Sequence, residues 1–247
     1  MINRLKIEIN IQDEREQKVN QMQIFNSIIK KYSTDKYIDF LSPNTLKPYN
    51  HYVSKRGEKF FWTINTLTQE ARENIILPII ENMPNQIDSD EGSFNISIKD
   101  KILEQVTYDN LISRNYLTEE KSNYITIRFE SPTSFKSLGN YKILPEMSLI
   151  YKSIIMKYNT FSRNYEIDDE DVLCSIIDNT NIIDYRLRST RFCMENFRIP
   201  AFVGNIRIKI KGTIASKNLI NLLLDFGTYS GVGLKTSLGM GGIDIEY

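Results

Sequence analysis

Apolar residues recur along this chain in two rhythms. Leu5, Ile7, Ile9 and Ile11 alternate with Lys6, Glu8 and Asn10, the period of a strand with one buried face. Met22, Phe25, Ile28, Ile29 and Tyr32 then fall at helical spacing and predict an amphipathic helix over Gln21 to Tyr32. An apolar cluster, Tyr37 to Leu41, stops at Ser42-Pro43-Asn44. Two strands about Arg56-Gly57-Glu58 read as a hairpin, Tyr49 to Val53 and Lys59 to Ile64. Thr68 opens a helix reaching about Ile80, with Pro78 late in it. Asn85 to Gly92 reads as a loop, and a further strand region extends to Tyr108.

Strand, helix, strand, strand, helix, strand is the split-βαβ, ferredoxin-like order. The stretch Leu111 to Ser122 is polar and broken and reads as a linker. The order then restarts. Tyr124, Ile125, Ile127 and Phe129 form a strand ending at Ser131-Pro132. Pro145 to Asn159 carries Met147, Ile150, Tyr151, Ile154, Ile155 and Tyr158 at helical spacing. Asp168 to Asp171 is an acidic run suited to a helix start. Ile182 to Met194 and Phe197 to Ile214 read as strands, Leu219 to Phe226 as a helix, and Ile243 to Glu246 as a last strand. The expected architecture is α+β: two tandem ferredoxin-like (RRM-like) domains, 1–122 and 123–247.

Between the last helix and the last strand lies a glycine-dense loop holding Gly231, Gly233, Gly239, Gly241 and Gly242. Such a loop admits positive φ and close backbone approach by a ligand, and its amides form an anion-binding concavity. Lys235, Thr236 and Ser237 in its middle add a cation and two hydroxyls suited to a phosphate. The Walker pattern fails because Leu234 precedes Lys235. The dinucleotide fingerprint fails because Thr236 stands where its third glycine belongs, and because the loop leaves a helix and enters a strand. A glycine-rich connection that binds nothing is the competing reading.

Composition narrows the field. Hydrophobic residues are 41% and charged residues 25%, the mix of a folded globular chain. Lys plus Arg and Asp plus Glu are both 31, so a nucleic-acid surface must come from uneven distribution. One histidine and two unclustered cysteines, Cys174 and Cys193, argue against zinc. The cysteines suit a reducing cytosol, each as a small buried apolar residue. The first residues, Met1 to Lys6, lack a signal-peptide core, and no apolar run has membrane length; a cytoplasmic protein with no membrane partner is expected. The uneven distribution exists. Arg186, Arg188, Arg191, Arg198, Arg207, Lys209 and Lys211 crowd one region with Glu195 the one acid among them, and Tyr185, Phe192, Phe197 and Phe202 interleave. Cations and aromatics on strands track a phosphate backbone and stack bases, whereas a plain solvated sheet face is the competing reading.

Three stretches together are more specific: Ile125-Thr-Ile-Arg-Phe-Glu-Ser-Pro-Thr-Ser-Phe-Lys136, Ile199-Pro-Ala-Phe-Val-Gly-Asn-Ile-Arg-Ile-Lys-Ile-Lys-Gly212, and Gly231-Val-Gly-Leu-Lys-Thr-Ser-Leu-Gly-Met-Gly-Gly242. In order and spacing they resemble the CRISPR-associated endoribonucleases of the RAMP superfamily that cut CRISPR precursor transcripts within the repeat, the sixth Cas protein type. The resemblance is densest over 123–247; before that it rests on topology and on Leu46-Lys-Pro-Tyr49. It implies tandem ferredoxin-like domains, repeat RNA as substrate, and no metal or other cofactor. It also implies cleavage by attack of a ribose 2′-OH on the adjacent phosphate, leaving a 2′,3′-cyclic phosphate and a 5′-hydroxyl. Subunits of a CRISPR interference complex follow as partners for the product, and a homodimer stays open.

That reaction needs a base, an acid and positive charge at the phosphorane, and histidine suits proton transfer near neutral pH. A Tyr, His and Lys set from the first domain is the family's common arrangement, which carries over to Tyr32, His51 and Lys55. Many members place the histidine before the Lys-Pro-aromatic stretch; here Phe40 to Asn44 stand there and none is a base near pH 7. For RNA contact the resemblance points to Gly231, Gly233, Lys235, Thr236, Ser237 and Gly239, with Arg186, Arg188 and Arg191 as further grips. A non-catalytic RNA-binding subunit on the same double fold is the main alternative, and an enzyme acting on a small nucleotide through the loop is another.

Overall fold

The computed structural model describes residues 1–13, 21–34, 37–41, 45–88, 94–116, 122–162, 166–167, 170–194 and 197–247. Its first sheet is antiparallel throughout. β1 (Ile2–Asp13) pairs with β3 (Lys59–Thr66) on one side and β5 (Phe94–Val106) on the other; β2 (Tyr49–Arg56) flanks β3, and β4 (Gln86–Asp88) flanks β5. Without β4 this is the ferredoxin-like strand order. Leu5, Ile7, Ile9, Trp62 and Ile64 project from one face and are buried. They pack under α1 (Gln21–Tyr32) and a helical run over 69–82, composed of α3 (Gln69–Ala71), a π turn (Arg72–Ile76) and α4 (Leu77–Asn82). Thr68 caps that run by accepting from the Ala71 amide at 3.1 Å. A short α2 (Tyr37–Phe40) precedes β2.

The second sheet repeats the order. β6 (Tyr124–Thr133) lies between β11 (Ile243–Glu246) and β10 (Phe197–Ile210), and β9 (Thr180–Met194) is the outer strand. Ile125, Ile127, Phe129, Ile206 and Ile208 are buried beneath α6 (Met147–Ser162), α7 (Glu170–Asp178) and α8 (Ile214–Ser230). A small hairpin, β7 (Phe135–Ser137) with β8 (Asn140–Lys142), forms a two-stranded sheet of its own and buries Phe135 in the second core.

α8 explains how the two units join. Ile220, Leu222, Leu223, Leu224 and Phe226 are all buried, so past its exposed first turn the helix is packed on more than one side. One side meets the core of the second sheet. The other meets the open face of the first: Arg4 of β1 donates to the Thr228 carbonyl at 2.8 Å, and Asn50 of β2 donates to the Tyr229 carbonyl. At 1.5–3 kcal/mol per buried large side chain, on the order of 10 kcal/mol rests on this helix.

The stretch read as a linker is corrected by the structure. Leu111 to Tyr116 belong to α5 (Tyr108–Tyr116), Leu111 is fully buried, and Arg114 grips Asp225 of α8 through two bonds of 2.8 and 2.7 Å. Residues 117–121 lie outside the described residues, as do Ser42–Asn44, Asp168, Asp169 and Glu195. The expected loop over 85–92 contains β4, its remainder beyond Asp88 again lying outside the described residues. Cys174 is exposed and Cys193 half-buried, so the expectation of two buried thiols does not hold. Among the described residues no helix is long and apolar enough to cross a membrane.

Candidate functional site

α8 ends at Gly231, whose φ of 65° is the left-handed region, and the chain runs through the glycine loop to β11. The loop is stitched down along its length. Val232 donates to the Gly241 carbonyl at 2.8 Å, Leu234 to the Ser134 carbonyl at 2.9 Å and Gly241 to the Pro132 carbonyl at 3.0 Å. The Gly233 and Gly242 amides donate to the hydroxyls of Ser153 and Ser131, both at 2.9 Å. A single turn of 3-10 helix, Thr236–Leu238, forms its outermost part.

The glycines admit protein rather than ligand. A Cβ on Gly239 would stand 2.3 Å from Met22 Sδ of α1, and one on Gly242 would stand 2.3 Å from the ring of Tyr52 of β2. Side chains of the first unit thus press directly onto the loop backbone. Close approach is the expected use of glycine; the approaching body here is the neighbouring domain.

Of the three side chains expected to meet phosphate, one faces outward. Lys235 is exposed, holds φ 51° and ψ 37° and opens the 3-10 turn; its ammonium lies 5.9 Å from the Phe197 ring centroid. A lysine held left-handed costs roughly 1–2 kcal/mol, which marks a site the surroundings enforce. Thr236 points inward: it is buried, and its hydroxyl accepts from Lys157 at 3.1 Å. Ser237 turns toward the first unit, where its hydroxyl meets Tyr49 and its backbone meets His51.

Lys157 is a residue that sequence reasoning missed. It is buried within α6 and donates to the carbonyls of Ser230 and Gly231 at 2.8 and 3.1 Å as well as to Thr236. Burial lowers its ammonium from 10.5 to about 7. The signal was present: Ile150, Ile154 and Lys157 fall at i, i+4 and i+7, which puts a lysine on an apolar stripe.

His51 has no exposed surface. Its Nδ1 accepts from Trp62 Nε1 at 3.3 Å, so the proton sits on Nε2, which donates to Asn26 Oδ1 at 3.1 Å. Asn26 in turn donates to the Leu238 carbonyl at 3.0 Å. Burial pushes the imidazole down from 6.5 to about 3. A ring enclosed and bonded at both nitrogens has no path to a ribose hydroxyl in this conformation; it ties β2 and α1 to the loop. Nor does the structure bring the expected catalytic set together. Lys55 is exposed further along β2, its ammonium 5.3 Å from the Phe60 ring, and four strand residues span about 13 Å. Tyr32 is half-buried at the end of α1, beside Lys31. Neither is a partner of His51.

The basic segment divides by strand periodicity. Leu187 packs into the second core, so Arg186 and Arg188 project from the opposite, open face of β9 and Arg191 from the helix side. All three are exposed. Arg207 and Lys209 of β10 share the open face, 5.2 and 5.7 Å from the Tyr124 ring centroid. Among the described residues Arg186, Arg188, Arg207 and Lys209 form no ion pair, although Asp184 stands opposite Arg207 in the register, whereas Arg128 is paired with Glu246 and Arg56 with Asp244. The same face of β9 carries Phe192, which packs with Met240 and Leu238 of the loop. Lys235, Phe192, Arg188 and Arg186 therefore follow one another along one side of the second unit.

Residues 127–243 match the protein family described as CRISPR-associated endoribonuclease Cas6. A protein of that name from Streptococcus thermophilus is 33% identical over 226 residues, covering 90% of each chain. One from Mycobacterium tuberculosis is 27% identical, covering 85% of this chain and 67% of its own length. Among solved structures, a Cas6 product complex superimposes with a TM-score of 0.76 over the full length of both chains at 18% identity.

Proposed function

The chain belongs to the CRISPR-associated endoribonuclease Cas6 family, and from that premise we propose that it cleaves CRISPR precursor transcripts within the repeat, without a metal ion. A ribose 2′-OH attacks the adjacent phosphate and leaves a 2′,3′-cyclic phosphate and a 5′-hydroxyl. The observation that carries this reading is the run of cations on the open face of β9 and β10, in no ion pair among the described residues, with Tyr124 of β6 beside Arg207 and Lys209 and with Lys235 at its loop end. Fixed cations beside an aromatic grip a flexible single strand in one register.

The division of labour assigns the grip to residues 123–247, through Lys235, Arg186 and Arg188. Residues 1–122 supply the chemistry. Lys55 offers an exposed charge for the phosphorane, and Tyr32 a phenol for positioning. His51 serves by holding the loop in place. The product guide RNA passes to an interference complex; size-exclusion chromatography of the RNA-loaded protein with interference-complex subunits reports that transfer, and chromatography of the protein alone reports any pairing of two copies.

Incubating labelled cognate repeat RNA with the protein in EDTA, and mapping the product ends, tests the reading. Products bearing a cyclic phosphate, absent when the attacking ribose is 2′-deoxy, support it; cleavage that needs added metal overturns it. One observation favours a second reading, an RNA-binding subunit that does not cut: the chain's single histidine is enclosed. Tight binding of intact repeat with no cleavage at any protein concentration selects that reading.

A further inference from the structure

Beneath the glycine loop lies a charged group to which the proposed reaction gives no task. Lys157 sits within α6, 4% exposed, and its three donated bonds end on the Ser230 carbonyl, the Gly231 carbonyl and the Thr236 hydroxyl. The two carbonyls belong to the last residue of α8 and to its C-cap, where a cation is favoured by the helix dipole. The Thr236 hydroxyl belongs to the outer turn of the loop, one residue from Lys235 and one from Ser237. Lys157 is thus a strut from the helix end to the inner side of the turn whose outer side is Lys235.

We infer that Lys157 is a positioning residue for RNA: its ammonium fixes the turn that presents Lys235, and places a second positive charge directly behind it. This inference rests on the RNA-binding reading of the loop and goes beyond it by naming the group that shapes and charges the contact from inside. A charge enclosed by protein is screened by salt far less than one on the surface. The groups facing it from α8 and the loop are neutral, and so is Ser153 on its own helix, whose hydroxyl accepts from the Gly233 amide. Burial is the one cause of its lowered pKa, about 7, with no carboxylate contributing. A nearby phosphate favours the charged form, and by linkage the charged form favours the phosphate.

The test is the affinity of labelled cognate repeat RNA from pH 6 to 8.5 at constant ionic strength, for wild type, Lys157→Met and Lys157→Arg. Wild type binds about tenfold more weakly at pH 8.5 than at pH 6, as expected for loss of one charge close behind the contact. Lys157→Met sits near the weaker level throughout with the pH dependence gone, and Lys157→Arg, which keeps its charge, sits near the tighter level. A wild-type profile that is flat overturns the inference whether or not the variants fold. So does a Lys157→Met profile with the wild-type slope, since another group then carries it. Failure of wild type to bind the repeat at pH 6 strikes instead at the RNA-binding reading.

Discussion

His51 and Asn26 are joined by a 3.1 Å hydrogen bond from the ring Nε2 to the amide oxygen, and Asn26 passes the connection on to the Leu238 carbonyl. Two elements of the first unit, β2 and α1, thereby hold the outer turn of a loop that starts about 180 residues later in the chain. The bond requires a neutral imidazole with its proton on Nε2, since Nδ1 accepts from Trp62.

Acid sensitivity follows from that neutrality. The folded imidazole has a pKa of about 3, against 6.5 for an exposed one. Below pH 6.5 the unfolded chain takes up a proton that the folded chain does not, so stability is fully present above pH 6.5 and falls as the pH drops toward 3. The expected loss at pH 5 is about 2 kcal/mol. Urea unfolding at pH 7 and pH 5 checks it: the stability gap between wild type and His51→Gln narrows by about that amount, and a constant gap contradicts the assignment.

Lys157 gives the opposite end of the pH scale a signature. Its folded pKa is about 7 and its ordinary value 10.5. Between these the unfolded chain holds a proton that the folded chain has released, so stability from this group rises with pH. Below pH 7 the full burial penalty is in place. Relative to Lys157→Met, wild type gains about 2 kcal/mol from pH 7 to pH 9 in denaturant unfolding.

Lys235 is the loop's outward cation, and its removal by Lys235→Ala takes away one phosphate contact. Log affinity for repeat RNA against log salt loses about 0.7 of slope for a single strand. A parallel line at lower affinity speaks for a loop whose role is structural.

Gly242 tests the docking of the two units. Gly242→Ala drives a methyl into the enclosed Tyr52 ring and destabilises by about 1–3 kcal/mol. Combined with Tyr52→Ala, which opens the space, the two losses fall well short of adding. Additive losses mean that the ring and the loop do not meet.

Local periodicity made much of this fold legible. The first helix and the last strand have the bounds their patterns predict, Gln21–Tyr32 and Ile243–Glu246, because each buries one apolar face. The helix Tyr108–Tyr116 was not legible, since much of its anchoring is polar and distant: Arg114 and Asn115 find Asp225 of α8. The same holds for the site. A glycine announces room on its backbone but not that Met22 and Tyr52 fill it, and a lone histidine announces chemistry until Trp62 and Asn26 are seen to enclose it. Lys157 was the reverse case, a charge on an apolar stripe that named its own burial.

His51 as the tie that holds the loop is tested most directly by single-turnover cleavage of repeat RNA in EDTA. Rate at saturating protein and affinity are measured separately for wild type and His51→Gln. The variant is expected to bind repeat RNA more weakly yet to cut bound RNA within about tenfold of the wild-type rate. Unchanged affinity with a saturated rate lower by two or more orders of magnitude contradicts it, and makes His51 the proton-transfer group of the reaction.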